Sequence, residues 1–156
     1  MATTFAPNCS LLVNNTGGNV QSLPTMVVGG KERTWTERIT LASQAVDDQI
    51  MIARLPYGAV PLSFDVSTDT SLSASTIAVG DLINASRFAA AGTLTGTNAS
   101  TNLINVATKG VNLTTCYDYL GVSNTNYEDV LVTVAVSDLP SSGTLVFVTK
   151  YIDYGA

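Results

Sequence analysis

The sequence predicts an all-β protein: an antiparallel β-sandwich, jelly-roll-like, with an extended N-terminal arm. Three observations lead there. Apolar residues alternate with polar ones in several short runs, as in strands with one buried face. The connections between those runs are polar and glycine-containing, and no helical pattern recurs between them at βαβ spacing. The composition agrees, with 46% hydrophobic but only 12% charged residues among 156. Thr, Ser, Asn and Gly make up most of the remainder, which suits a neutral, hydrogen-bonding surface; a disordered chain would carry more charge and fewer β-branched residues. One domain of this length can bury roughly 70% of the surface of its unfolded chain. No internal repeat of about 20–50 residues is present.

Residues 1–33 are the least strand-like part. "NNTGGN" and Gly29-Gly30 are turn chemistry, and the apolar pieces Leu11-Leu12-Val13 and Met26-Val27-Val28 are too short to form a core of their own. They predict an arm or edge strands over 1–33, and a single β-sandwich domain over 34–156. From Trp35 a period of two sets in: Trp35, Glu37, Ile39 and Leu41 fall on one face, Thr34, Thr36, Arg38 and Thr40 on the other. Residues 48–54 form an apolar run too short for an ordinary helix. In "LPYGAV", Pro56 and Gly58 end that strand and Val60 begins the next. Gly58 is expected to take a positive φ or a close backbone contact. Pro61 has no N–H, so its strand starts there or lies at an edge.

Val60, Leu62, Phe64 and Val66 alternate with Pro61, Ser63, Asp65 and Ser67, and 76–79 is a short strand closed by Gly80-Asp81. "LINASRFAAA", 82–91, is the best helix candidate, although 88–94 reads equally as a strand. Residues 98–105 read as loop. Val111, Leu113, Thr115 and Tyr117 alternate, and Val130, Val132, Val134 and Val136 do so most cleanly. Leu145, Phe147, Thr149 and Tyr151 follow "SDLPSSG", which has the length and composition of a hairpin connection. The total is about seven or eight strands, within the range of such sandwiches, with 60–66, 130–136 and 145–151 in the core.

The chemistry is bounded mostly by exclusion. There is no histidine, so Ser-His-Asp triads, Cys-His dyads and histidine metal sites are ruled out. "GGKE" lacks the upstream glycine and the Ser/Thr of a phosphate loop, "GVSNT" lacks the second glycine of a nucleophile elbow, and "DTS" lacks the glycine of an aspartic-protease loop. Three carboxylate groupings remain: Asp47-Asp48, Asp65 with Asp69, and Asp118 with Glu128-Asp129. A glycosidase would need two at roughly 5–9 Å across a cleft, whereas carboxylates in turns usually cap backbone or meet solvent. Without an Asp-x-Asp-x-Asp run, calcium is not expected either. The expectation is therefore no catalytic residue, no cofactor and no metal.

A net charge of −5 with only 7 basic residues argues against nucleic acid. No apolar run approaches the roughly 20 residues of a membrane span. The N-terminus lacks the basic start and apolar core of a signal peptide, which predicts synthesis in a cytoplasm without export by the usual route. Cys9 and Cys116 are expected to be free, partly buried thiols rather than a bridge. Asn-x-Ser/Thr triplets at Asn8, Asn14, Asn84, Asn98 and Asn112 are what chance gives in such a composition. "CYDYLGVSNTNY" is the most aromatic stretch, and Tyr117 and Tyr119 share a face if it is extended. Tyrosine suits contacts because one end is apolar and the other bonds to water or a partner; the other reading is a strand whose rings pack on the core. Candidate partner contacts are thus Tyr57, Tyr117 and Tyr119, with Leu11, Leu12, Val13, Met26, Val27 and Val28 of the arm.

Residues 40–81 resemble a pattern in small structural proteins of tailed bacteriophages. Its parts are Asp48, then Ile50, Ile52, Arg54-Leu55-Pro56 and Gly58-Ala59-Val60, an alternating strand, Thr68-Asp69-Thr70, and a short strand ending in Gly80-Asp81. "DLPSSGTLVFVTKYIDY" is similar to that family's closing hairpin. The resemblance covers about residues 36–154 and consists of strand and turn patterns with no chemical signature. It implies a capsid decoration, or cement, protein: a non-enzymatic β-sandwich on the outer face of a phage head, made in the host cytoplasm, that reinforces capsomer junctions. The implied partners are the major capsid protein and copies of itself, in a homo-oligomer with a trimer favoured over a dimer. Three other classes stay open: another virion part such as a head-fibre base or tail protein, a carbohydrate-binding β-sandwich, and an enzyme using carboxylates.

Overall fold

The computed structural model describes residues 31–154 apart from 73 and 95; these contain strands and turns but no helix. Ten strands are present among them: β1 (Lys31–Thr40), β2 (Gln49–Pro56), β3 (Val60–Thr68), β4 (Thr76–Gly80), β5 (Ala89–Thr93), β6 (Ser100–Asn102), β7 (Cys116–Tyr117), β8 (Ser123–Asn124), β9 (Tyr127–Ala135) and β10 (Thr144–Asp153). Two four-stranded antiparallel sheets, in the orders β1-β10-β3-β6 and β2-β9-β4-β5, form the all-β sandwich, and β7-β8 makes a small separate ribbon. The expected all-β antiparallel sandwich is the one observed.

The alternating residues build the core between the sheets. Phe64, Val66, Leu145 and Phe147 from one sheet meet Ile52, Leu55, Ile77, Val79, Val130, Val132 and Val134 from the other. The Phe64 and Phe88 rings lie 5.3 Å apart, centroid to centroid, at a tilt of 39°. Each such side chain contributes roughly 1.5–3 kcal/mol by leaving water. The first strand follows the same logic with a gradient. Leu41 is buried and Ile39 packs on the core, but Trp35 on the same face is 38% exposed.

The "LPYGAV" corner carries the chain from one sheet to the other, from β2 into β3. Gly58 has φ +79, a conformation that glycine adopts without steric cost. Its N–H donates to Leu113 O at 2.9 Å, and the Ala59 N–H to Pro56 O at 3.0 Å. Pro61 lies at the start of β3, beyond the reach of the short β6. The strand is interior to its sheet only where β6 pairs with it, at 65–67, so Pro61 has a strand neighbour on one side alone.

Several expectations are corrected. The stretch 82–91 is not a helix: a turn follows β4 and Ala89–Thr93 is β5, pairing with β4, as its strand alternative had it. The Asp81 carboxylate accepts the Ile83 and Asn84 N–H groups at 2.8 and 2.6 Å, a bonding pattern that a helix start would share. It is pairing with β4, beginning with the Phe88 N–H on Val79 O at 2.9 Å, that takes the stretch into the sheet. "SDLPSSG" is not a hairpin, because β9 and β10 belong to different sheets. Val136 leaves the core pattern with φ +74, and buried Leu139 ties the crossing segment to Gln44 O at 2.9 Å. In 111–117 only Cys116–Tyr117 is strand and Val111 is exposed, while 98–105 contains the short β6.

Pairing with β10 begins at Lys31, inside the segment 1–33 assigned to the arm. Residues 1–30, with Leu11, Leu12, Val13, Met26, Val27 and Val28, lie outside the described residues. Asp153 faces Lys31, Ile152 faces Val60, Pro56 faces Tyr127 and Gly80 faces Leu131. The start of β1 therefore sits at the same end of the sandwich as the Pro-Tyr-Gly corner and the exit from β4.

Candidate partner-binding surface

Strand β9 is buried on both faces from Glu128 to Val134, although period-two patterning assigns only one face to the core. The second face is covered by loops. Gly80 has no room for a side chain because the backbone of Asn84 and Ala85 folds back against it. The loop 81–86 is tightened by the Asp81 side chain and by the Arg87 N–H donating to Asn84 O at 3.1 Å. Beside it, Asp118 Oδ1 accepts the Leu120 and Val122 N–H groups at 2.9 and 3.0 Å. Gly121 closes that turn at φ +74 and lies against Leu82 and Ile83, where a Cβ would come within 3.2 Å of Ile83.

These two loops leave apolar side chains outside. Ile83 is 60% exposed and Leu120 64%, with Leu82, Tyr119 and Val122 beside them in sequence and also exposed. A cleft of about 310 Å³ adjoins the patch, lined by Asp81, Ile83, Asn84, Arg87, Thr115 and Tyr117.

Beneath the loops lies a set of buried charges. Arg87 Nη1 donates to Asp81 Oδ2 and Glu128 Oε2, both at 2.8 Å, and its Nη2 donates to Thr115 O at 2.6 Å. Glu128 Oε2 also accepts the Tyr117 N–H at 3.1 Å, and Asp129 Oδ2 accepts the Tyr119 N–H at 2.8 Å. Successive acids of β9 thus hold alternate amides of one segment. Arg54 forks onto Asp129 at 2.6 and 3.0 Å and lies 4.1 Å from the Tyr127 ring centre. Burial pushes the Glu128 carboxyl up to about 7; the Arg87 charge opposes this and the Asp81 charge adds to it. The Cys116 thiol is buried and free, and burial, then the Glu128 charge, pushes it up to about 11. Its candidate partner Cys9 lies outside the described residues.

The carboxylates act as caps and ion-pair partners. Asp48 accepts the Ala45 N–H, Asp69 the Thr144 N–H, and Asp65 bonds to Ser63 and lies 3.7 Å from Lys150. Asp81 and Glu128 converge on one guanidinium, which occupies the position between them. Among the described residues no three His, Cys, Asp or Glu side chains gather as a metal ion would need.

The tyrosines separate. Tyr57 is exposed at the corner, and its N–H donates to Asn126 O at 2.9 Å. Tyr117 is half-buried, with Arg87 5.7 Å from its ring centre. Tyr119 stands exposed on the patch. Leu82, Ile83, Leu120 and Val122 were not among the sequence candidates. The available signal was the apolar pair following Gly80-Asp81 and the "YLGV" turn; an amphipathic-helix reading of 82–91 would have turned the pair inward.

The fold has counterparts among solved structures. It is similar to a chain of the cyanophage Pam1 capsid asymmetric unit, with 23% identity, coverage of 88% of this chain and 96% of that one, and a TM-score of 0.58. It is also similar to a chain of the capsid of Ralstonia phage GP4, with 18% identity, coverage of 90% and 94%, and a TM-score of 0.57. At these identities the likeness is one of fold. No protein-family model matches the chain, and no curated protein does.

Proposed function

We propose that this chain is a non-enzymatic structural protein of a phage virion, one that binds the outer surface of the head and stabilises capsomer junctions. The observation that carries this is coverage: the fold spans 96% and 94% of two chains taken from phage capsids. A match of whole chain to whole chain supports a shared role better than one shared module would, although fold alone is an analogy. The strand-and-turn pattern of residues 40–81 points the same way, and Asp48, Asp65, Asp69, Asp118, Glu128 and Asp129 serve as caps and ion-pair partners. The partners in this proposal are the major capsid protein and further copies of the chain, in a closed cyclic oligomer with a trimer preferred to a dimer. Residues 1–30 form the connecting arm, which adds main-chain hydrogen bonds and apolar contacts to a neighbour.

The test is electron microscopy of phage particles together with sedimentation of the purified protein with heads stripped of it. Regular density over the head and saturable co-sedimentation are expected. Density confined to the tail would assign the chain to another virion part. Saturable binding to a glycan array without binding to heads would assign it to carbohydrate recognition.

A further inference from the structure

We propose that the apolar patch on loops 81–86 and 118–122 is the seat of the Leu11-Leu12-Val13 segment of a neighbouring copy. This rests on the structural role proposed above and names the surface through which copies join. Leu82, Ile83, Tyr119, Leu120 and Val122 are all exposed, Gly121 brings the second loop against Leu82 and Ile83 of the first, and an apolar patch built this way on a small protein marks an interaction site. The loops that carry them are already fixed by Asp81, Asp118 and Asp129, so docking orders little further backbone.

The occupant follows from where the remaining chain leaves the sandwich and from its chemistry. Lys31 opens β1 at the end of the sandwich that carries the patch. The 30 residues before it contain no Asp, Glu, Lys or Arg, so no charged side chain has to be desolvated against the patch. Met26-Val27-Val28 is separated from Lys31 only by Gly29-Gly30, a reach of roughly 10 Å. Residues 14–30 lie between Val13 and Lys31; fully extended, such a linker spans roughly 55–60 Å, more than the roughly 33 Å of a ten-residue strand of the sandwich, so the segment can reach past its own module. Every copy carries one patch and one segment, so head-to-tail exchange links copies in series, and the series closes into a ring when the rotation between neighbours divides a full turn.

The test uses the full chain with Cys9→Ser, Leu12→Cys and Ile83→Cys, keeping buried Cys116. After mild oxidation, a non-reducing gel is expected to show covalent oligomers up to the size of the native assembly, and adding Leu11→Asp and Val13→Asp is expected to cut their yield at least tenfold. A Leu12–Ile83 bond formed only within one chain, identified by peptide mapping, would overturn the exchange. So would the absence of that bond in a protein with a native circular dichroism spectrum. Leu120→Cys replaces Ile83→Cys if the first variant does not fold. Head co-sedimentation is measured separately: binding to heads without the bond removes this inference and leaves the structural role standing, while the bond without head binding does the reverse.

Discussion

The two ends of the sandwich solve the same problem with different chemistry. At the Pro-Tyr-Gly end, Arg87 bridges Asp81 and Glu128, and Arg54 holds Asp129. The backbone there reaches positive φ only at glycines: Gly58, Gly110 and Gly121. Side-chain caps close loops at both ends, but at the opposite end they come from exposed acids, with Ala45 N–H on Asp48, Val46 N–H on Asp138 and Thr144 N–H on Asp69. All four described non-glycine residues with positive φ are at that end: Ser43, Asp47, Asn98 and Val136. One end keeps its backbone relaxed, buries charge beneath its loops and leaves apolar side chains outside. The other keeps its charges near the surface and holds the strain in its backbone, of order 1–3 kcal/mol for a residue as badly suited as valine.

Arg87→Ala attacks the first end most severely. It leaves the Asp81 and Glu128 carboxylates buried without their shared cation, at a cost of about 3–5 kcal/mol. Chemical denaturation is expected to show that loss, with Asp138→Ala at the other end costing about 1 kcal/mol, the usual value of a lost cap. Equal losses would erase the distinction between the ends.

A pH titration sharpens it. The Glu128 carboxyl sits at about 7 in the folded chain against an ordinary value of 4.5. Between those values the folded state holds more protons than the unfolded state, so this group's contribution to stability falls as pH rises from 4.5 to 7 and stays low above. The expected loss is on the order of 2 kcal/mol, seen as a lower Tm at pH 8 than at pH 5.5. Glu128→Gln should flatten that slope, and a slope unchanged in the variant would show that another group carries it.

Gly58→Val places a β-branched residue at φ +79, where nothing lies within 4 Å of the new Cβ. The cost is therefore conformational, about 1–2 kcal/mol, with the proposed head binding left unchanged. A variant that folds with full stability and loses only binding would make the corner a contact site, with Tyr57 its natural centre. The smallest effect is expected at the other end. Val136 is 76% exposed, so Val136→Gly gives up little burial and relieves the positive φ. A gain of about 1 kcal/mol in the denaturation midpoint analysis is expected, and a loss would mean that the valine side chain has packing value there.

Much of this was legible from local pattern. The strands at 60–68, 76–80, 127–135 and 144–153 follow from alternation, and Gly58 follows from the Pro-x-Gly turn. The candidate surface was legible only at Tyr119. Leu82 and Ile83 lie in a stretch whose helical pattern was overruled by the pairing of Ala89–Thr93 with β4, a contact that local pattern does not announce.

The sequence by itself determined which residues become strand and which face of most strands turns inward, because alternation is a property of neighbours along the chain. It did not determine which strand lies beside which. A connection such as "SDLPSSG" can span the roughly 5 Å to a hairpin partner or the roughly 10 Å between sheets, and only packing chose the second. Nor could it reveal that Glu128 and Asp129 are buried. That depends on Arg87 and Arg54, which lie 41 and 75 residues away in the chain and are brought to the acids only by the folded sandwich. A buried charge without its partner costs several kcal/mol, so the interior of this end could be decided only where the tertiary structure brings acids and arginines together.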